Sequence, residues 1–270
     1  MKREILRIPS KAGSLKLIVL KYGVQDRKVP GILWIHGGGY ETGMASMVYG
    51  SCGKMLAKKF GGVVVSPAYR LSLRAEYPAA LEDCYTALEY MYDHAEELSI
   101  DKNRIIVGGE SAGGGLTAAV CLYARDQKRI PVAYQIPLYP MIDAFDTESS
   151  RNNHGKIWNT KRNHSAWKRY LGKIYGTSDI PKYASPSLEN DYQGLPAAYT
   201  FVQDGEPFYT ETLEYIDRLK EAGIHASLDV YHGDVHAFDL LQPWTKKAKT
   251  ARKKLCESYY DAMMHNYYRQ

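Results

Sequence analysis

Val63, Val64 and Val65 stand in a row between Gly62 and Pro67. Such a run is too short for a helix, and with no polar residue alternating in it neither face can be given to water. It reads as a strand of a parallel sheet covered on both sides. Residues 14–22 (SLKLIVLKY) and 31–36 (GILWIH) read as strands before it, and residues 104–109, 132–140, 197–203 and 226–232 as strands after it. Between them lie helical patterns. Residues 78–98 place Ala80, Leu81, Cys84, Leu88 and Met91 on one face, with Pro78 acceptable in the first turn. Residues 112–126 and 210–223 read as further helices, the second stopped by Gly223. Alternation of this kind predicts one α/β domain over residues 1–270, built on a doubly wound, mostly parallel sheet. In such sheets, sites form outside the carboxyl ends of the strands.

Residues 144–187 break the alternation: they contain no β-run and one helical stretch near 165–175. Lying between two sheet strands, they are expected to form a small cap over the strand ends.

Hydrophobic content of 45% and charged content of 24% are ordinary for a globular chain, and no apolar run approaches the ~20 residues that span a bilayer. The opening residues are basic, but Arg7, Pro9, Lys11 and Lys16 interrupt any signal-peptide core, so a cytoplasmic, membrane-free protein is expected. Cys52, Cys84, Cys121 and Cys256 are far apart with no CxxC pairing, which predicts buried free thiols. The net charge is +5, and six positive charges crowd residues 246–254 (KKAKTARKK). Without an aromatic platform or a helix-turn-helix pattern beside it, this block reads as the solvated face of a C-terminal helix, not as a nucleic-acid surface.

Chemistry concentrates in four places, each at a strand end. Gly109-Glu110-Ser111-Ala112-Gly113 is a G-x-S-x-G sequence between a strand and a helix. There a tight, strained turn lifts the serine hydroxyl above the sheet, and flanking glycines avoid collision with neighbouring backbone. A serine needs a histidine to take its proton and a carboxylate to orient that histidine. His236 lies deep in the loop YHGDVHAF after the last strand, whereas His232 still belongs to the strand end; His236 is the expected base. The acid is expected in QDGEPF after the preceding strand, where physical reasoning divides evenly between Asp204 and Glu206. HGGGY, residues 36–40, brings backbone N–H groups close to an acyl carbonyl, each donor commonly worth ~3 kcal/mol in the transition state. His36 is expected to order that loop, not to exchange protons.

Taken in order, HGGGY, SPAYRLSLRAEYPAALEDCYTAL, RIIVGGESAGGGL, LYPMID, YASPSLEND, LPAAYTFVQDGEPFYTETLEYIDRLKEAGI and YHGDVHAF resemble the hormone-sensitive-lipase-like esterases of the α/β-hydrolase superfamily over residues 31–238. The resemblance implies an α/β-hydrolase fold with a small helical cap at 144–187, inserted after the sixth strand. It also implies an acid before a proline, which is Glu206 before Pro207 where the family usually carries aspartate; Asp204 is the alternative. Carried over by position, the oxyanion donors are the N–H groups of Gly38, Gly39 and Ala112, with Gly37 shaping the turn. Arg70 and Asp83 match positions that look structural.

The implied activity is hydrolysis of short acyl esters, acetyl to butyryl, through a Ser111–His236–Glu206 triad and an acyl-enzyme. Neither a metal nor an organic cofactor is required, and the partner is a small-molecule ester; a homodimer is left open. Only 35 residues precede HGGG, so the lid is expected to come from residues 144–187, leaving an open site. The aromatics Trp158, Trp167, Tyr170, Tyr175 and Tyr183 of that segment either stack on an acetylated sugar or pack the lid. Two other readings compete: a ligand receptor that has lost its chemistry, and a serine peptidase on the same fold.

Overall fold

The computed structural model describes residues 1–23 and 27–265. Among these, β1 (Lys2–Ser10), β2 (Gly13–Tyr22), β3 (Val29–Ile35), β4 (Gly62–Pro67), β5 (Ile100–Glu110), β6 (Tyr134–Leu138), β7 (Ala198–Gln203) and β8 (Ala226–Tyr231) form one sheet. Their order is β1-β2-β4-β3-β5-β6-β7-β8. The β1–β2 and β2–β4 pairs are antiparallel and every later pair is parallel. The helices are α1 (Cys52–Phe60), α2 (Ala79–Asp93), α3 (Ala95–Leu98), α4 (Ala112–Gln127), α5 (Thr160–Leu171), α6 (Tyr209–Glu221), α7 (Phe238–Leu241) and α8 (Lys246–His265).

The valine run lies in β4, all six residues of which are buried. Successive strand side chains point to opposite faces, and both faces here are apolar. Leu33, Ile35, Val63, Val65, Ile105 and Val107 join a core with α2, α4 and α6. Ile32, Trp34, Val64 and Ile106 join a second core with α1 and α8. The basic block begins α8, which turns Ala248, Ala251 and Leu255 inward. All four cysteines are free and buried.

One strand was not visible as such in the sequence. β1 is mostly exposed, with Lys2, Arg3, Glu4 and Arg7 in it, and it pairs only with β2. A charged edge strand hides its alternation, and those charges blunt an edge open to foreign strands. The helix expected from 78 to 98 is divided at His94 into α2 and α3. The stretch expected near 165–175 is α5 followed by a single 3₁₀ turn, Gly172–Ile174. Among the described residues, no helix is long and apolar enough to cross a membrane.

The connections decide where a site can form. From β3 the chain crosses through α1 to β4, then returns through α2 past β3 to β5, so winding reverses between β3 and β5. Such a reversal opens a crevice at the carboxyl ends of the two strands. Ile35 of β3 lies in register with Gly109 of β5, which brings the glycine loop and the G-x-S-x-G turn side by side at that crevice.

Candidate active site

Ser111 joins β5 to α4 with φ 58° and ψ −120°, a backbone region that ordinary residues avoid at a cost of about 1–3 kcal/mol. Its N–H donates to the carbonyl of Leu138 at 3.0 Å, and its own carbonyl accepts from Met141 at 3.1 Å and Gly115 at 2.9 Å. These bonds to the end of β6 and the first turn of α4 hold the strained turn in place. Gly113 has no alternative, because a Cβ there would lie 2.1 Å from the carbonyl oxygen of Ile35. The serine hydroxyl therefore sits against the end of β3, at the N-terminus of a 16-residue helix.

His236 follows β8, and its Nε2 is 2.8 Å from Ser111 Oγ. Its Nδ1 is hydrogen-bonded to Oε2 of Glu206, which is fully buried; Glu206 Oε1 accepts from the N–H of Gln203 at 2.9 Å. The carboxylate is thus fixed by the end of β7, the strand beside β8. Phe208 and Tyr139 pack edge-on against the imidazole, with centroids at 5.0 and 5.1 Å. Asp204 faces the other way. Its carboxylate accepts from Gly233 N–H and meets His232 Nδ1, both at 3.0 Å, and the His232 side chain is 97% exposed. Of the two acids open to the sequence, Glu206 lies with His236 and Asp204 with His232.

The glycine loop approaches from β3. A Cβ on Gly37 would lie 3.3 Å from Ser111 Cβ, and Gly38 and Gly39 have φ of 122° and 61°. Ala112 opens α4, so its N–H belongs to the unsatisfied helix start, which favours negative charge. His36 is buried, stacks on Tyr69 at 4.3 Å and has Nδ1 2.8 Å from the carbonyl of Gly37. Burial pushes its pKa down to about 4, so it is a neutral spacer at neutral pH, as expected. Arg70 grips Asp83 through Nε at 2.9 Å and Nη2 at 3.0 Å and forms no contact with the serine in the hydrogen-bond network.

Glu110, Asp239 and Glu211 are buried acids to which the sequence reading gave no role. Glu110, beside the serine, accepts from Trp34 Nε1 at 2.8 Å, and burial, reinforced by the charge of Asp239, pushes its pKa up to about 8. Asp239 in α7 accepts from Tyr139 at 2.8 Å, tying the ring behind His236 to the helix after it. Glu211 in α6 receives the N–H groups of Ile142 and Asp143 at 2.7 and 3.2 Å, where the chain leaves β6 for the inserted segment. Only Asp239, in AFDLL, sits in an apolar context in sequence, the signal that a carboxyl is buried.

In the inserted segment, Trp167 and Tyr170 are buried against Tyr40, the latter stacked at 4.0 Å. They pack the segment onto the sheet. Trp158 instead stands over the site, 6.4 Å from the His236 ring, where the sequence assigned it no special place.

A family model described as alpha/beta hydrolase fold matches residues 32–240. The chain is 30% identical to "Esterase LipI" of Mycobacterium tuberculosis over 77% of its own length and 66% of that protein's. It is 31% identical to an arylesterase of Saccharolobus solfataricus, covering 81% of this chain and 71% of the relative. Among solved structures, a bacterial heroin esterase superposes with a TM-score of 0.92 at 33% identity, covering 97% of this chain and 84% of that one. A hyperthermophilic esterase from Pyrobaculum calidifontis gives 0.87 at 29% identity, over 95% and 82%. By family match, fold and relatives, the chain belongs to the alpha/beta hydrolase family, in its hormone-sensitive-lipase-like group of esterases.

Proposed function

We propose that the protein is a serine carboxylesterase that removes short acyl groups, acetyl to butyryl, through Ser111, His236 and Glu206. One observation carries the reading: Ser111 Oγ lies 2.8 Å from His236 Nε2, with the Glu206 carboxylate on the opposite nitrogen of the same ring. His236 takes the hydroxyl proton as Ser111 attacks the ester carbonyl, and returns it to the departing alcohol. Water then repeats the sequence on the acyl-enzyme and releases the acid. Glu206 holds the proton of the neutral ring on Nδ1 and balances the imidazolium. The N–H groups of Gly38, Gly39 and Ala112 receive the oxyanion, and the start of α4 adds its dipole.

Residues 144–187 act as the cap within a single α/β-hydrolase domain, and the chemistry needs no cofactor. Acetylated sugars are the polar branch of this proposal. Trp167 and Tyr170 are buried; of the half-buried rings Trp158, Tyr175 and Tyr183, Trp158 is the one beside His236 and is the ring on which that branch rests. The deciding experiment is the initial rate of p-nitrophenyl acetate hydrolysis at pH 7 to 8, wild type beside Ser111→Ala. Turnover that vanishes in the variant is expected. Absent turnover, or equal turnover in both, would leave a ligand receptor as the better description.

A further inference from the structure

Trp158 reaches the glycine loop with the far edge of its indole. A Cβ on Gly39 would lie 2.3 Å from Trp158 Cη2, so that position is glycine both for its φ of 61° and for the ring pressed against it. The indole is 6.3 Å from Phe208 and 6.4 Å from His236, centroid to centroid, and Phe208 lies 5.0 Å from His236. Trp158 Nε1–H donates to Oδ1 of buried Asn163 at 3.3 Å, anchoring the ring to α5. Ser111, 2.8 Å from His236, is only 6% exposed. The Trp158 ring is therefore an aromatic wall that touches the oxyanion loop at one edge and faces the imidazole with Phe208.

Which part of an ester meets that wall follows from the proton path. In the tetrahedral adduct, the alkoxy oxygen must come within hydrogen-bond reach of His236 Nε2 to leave as alcohol, while the acyl chain, bonded to the same carbon, points elsewhere. The side shared by the imidazole, Phe208 and Trp158 is the leaving-group side. We infer that Trp158 is the residue that sets the size of the alcohol this enzyme accepts, an inference that rests on the ester-hydrolase reading above. A flat or small alcohol slides along the indole face; a bulky branched one collides with it.

The test compares kcat/KM in wild type, Trp158→Ala and Trp158→Phe on two ladders, followed by acid release. One holds acetate constant and enlarges the alcohol from methyl through benzyl to menthyl; the other holds p-nitrophenol constant and lengthens the acyl group from acetyl to hexanoyl. Trp158→Ala is expected to raise the menthyl-to-methyl ratio by about tenfold while the acyl-length ratio moves by less than about twofold, with Trp158→Phe between. Ratios within one variant cancel the fraction of folded enzyme, so a merely structural role leaves both unchanged. Change confined to the acyl ladder, equal change in both, or none in either would overturn the inference. Failure of the ester-hydrolase reading itself would show separately, as wild-type turnover that is absent or survives Ser111→Ala.

Discussion

Glu206→Gln removes one charge and almost no volume from the proposed Ser111–His236–Glu206 triad, and the structure dictates how the amide must sit. The place of Oε1 faces the N–H of Gln203 at 2.9 Å, so only the amide oxygen fits there. The NH₂ group then turns toward His236 Nδ1. A donor facing Nδ1 moves the ring proton to Nε2, where it points at Ser111 Oγ 2.8 Å away and the ring cannot accept the serine proton. The imidazolium also loses its counter-charge. Loss of the correct tautomer in a serine–histidine–carboxylate system is worth ~10⁴ in kcat, about 5 kcal/mol of barrier. KM is expected to hold within about threefold, because Glu206 supports the base without touching the ester. Asp204→Asn is the matched control: its partner His232 is 97% exposed, and exposed pairs contribute little. Steady-state kinetics on p-nitrophenyl acetate, with thermal melts to confirm folding, decide the matter. Glu206→Gln retaining more than about a tenth of wild-type kcat, or Asp204→Asn falling equally far, would refute the assignment.

Two stability predictions follow from the ground beneath the serine. Glu110 has a carboxyl raised from 4.5 to about 8, so the folded protein keeps a proton there that the unfolded chain gives up. Its contribution is fully present below pH 4.5 and declines as pH rises toward 8, by roughly 1.4 kcal/mol per pH unit. The melting temperature of Glu110→Gln relative to wild type should therefore climb between pH 5 and pH 9; a constant difference would contradict it. Gly113→Ala places a Cβ 2.1 Å from the carbonyl oxygen of Ile35 and 2.6 Å from that of His36, backbone atoms that cannot turn aside. A loss of ~3 kcal/mol or more in chemical denaturation is expected, against near-neutral Gly50→Ala, where the added carbon meets nothing within 4 Å.

Much of this architecture was legible because it is written locally. Apolar runs such as Val63 to Val65 report burial on both faces, and Gly109 and Gly113 around Ser111 report a turn that excludes side chains. β1 was not legible, since Lys2, Arg3, Glu4 and Arg7 mask an exposed edge strand whose pairing with β2 is a matter of register. Trp158 was only one of six aromatics in an irregular segment. Its neighbours Gly39, Phe208 and His236 come from three other parts of the chain.

The sequence by itself determined the alternating fold and marked Ser111, His236 and the glycine loop as candidates, because each depends on side-chain periodicity or on backbone angles within a few residues. Local pattern left two carboxylates two residues apart evenly matched and only the resemblance favoured Glu206; where each one lies is a matter of tertiary structure. The turn after β7 sends Asp204 outward to His232 and Glu206 inward beneath His236. The 2.8 Å approach of Ser111 to His236 across 125 residues, expected from the sequence only as a pairing, is likewise set by the tertiary structure, and so is the indole beside the imidazole. Such contacts arise where the reversal of the winding and the pairing of β7 with β8 bring strand ends together, and no local pattern records which side chain a distant loop will face.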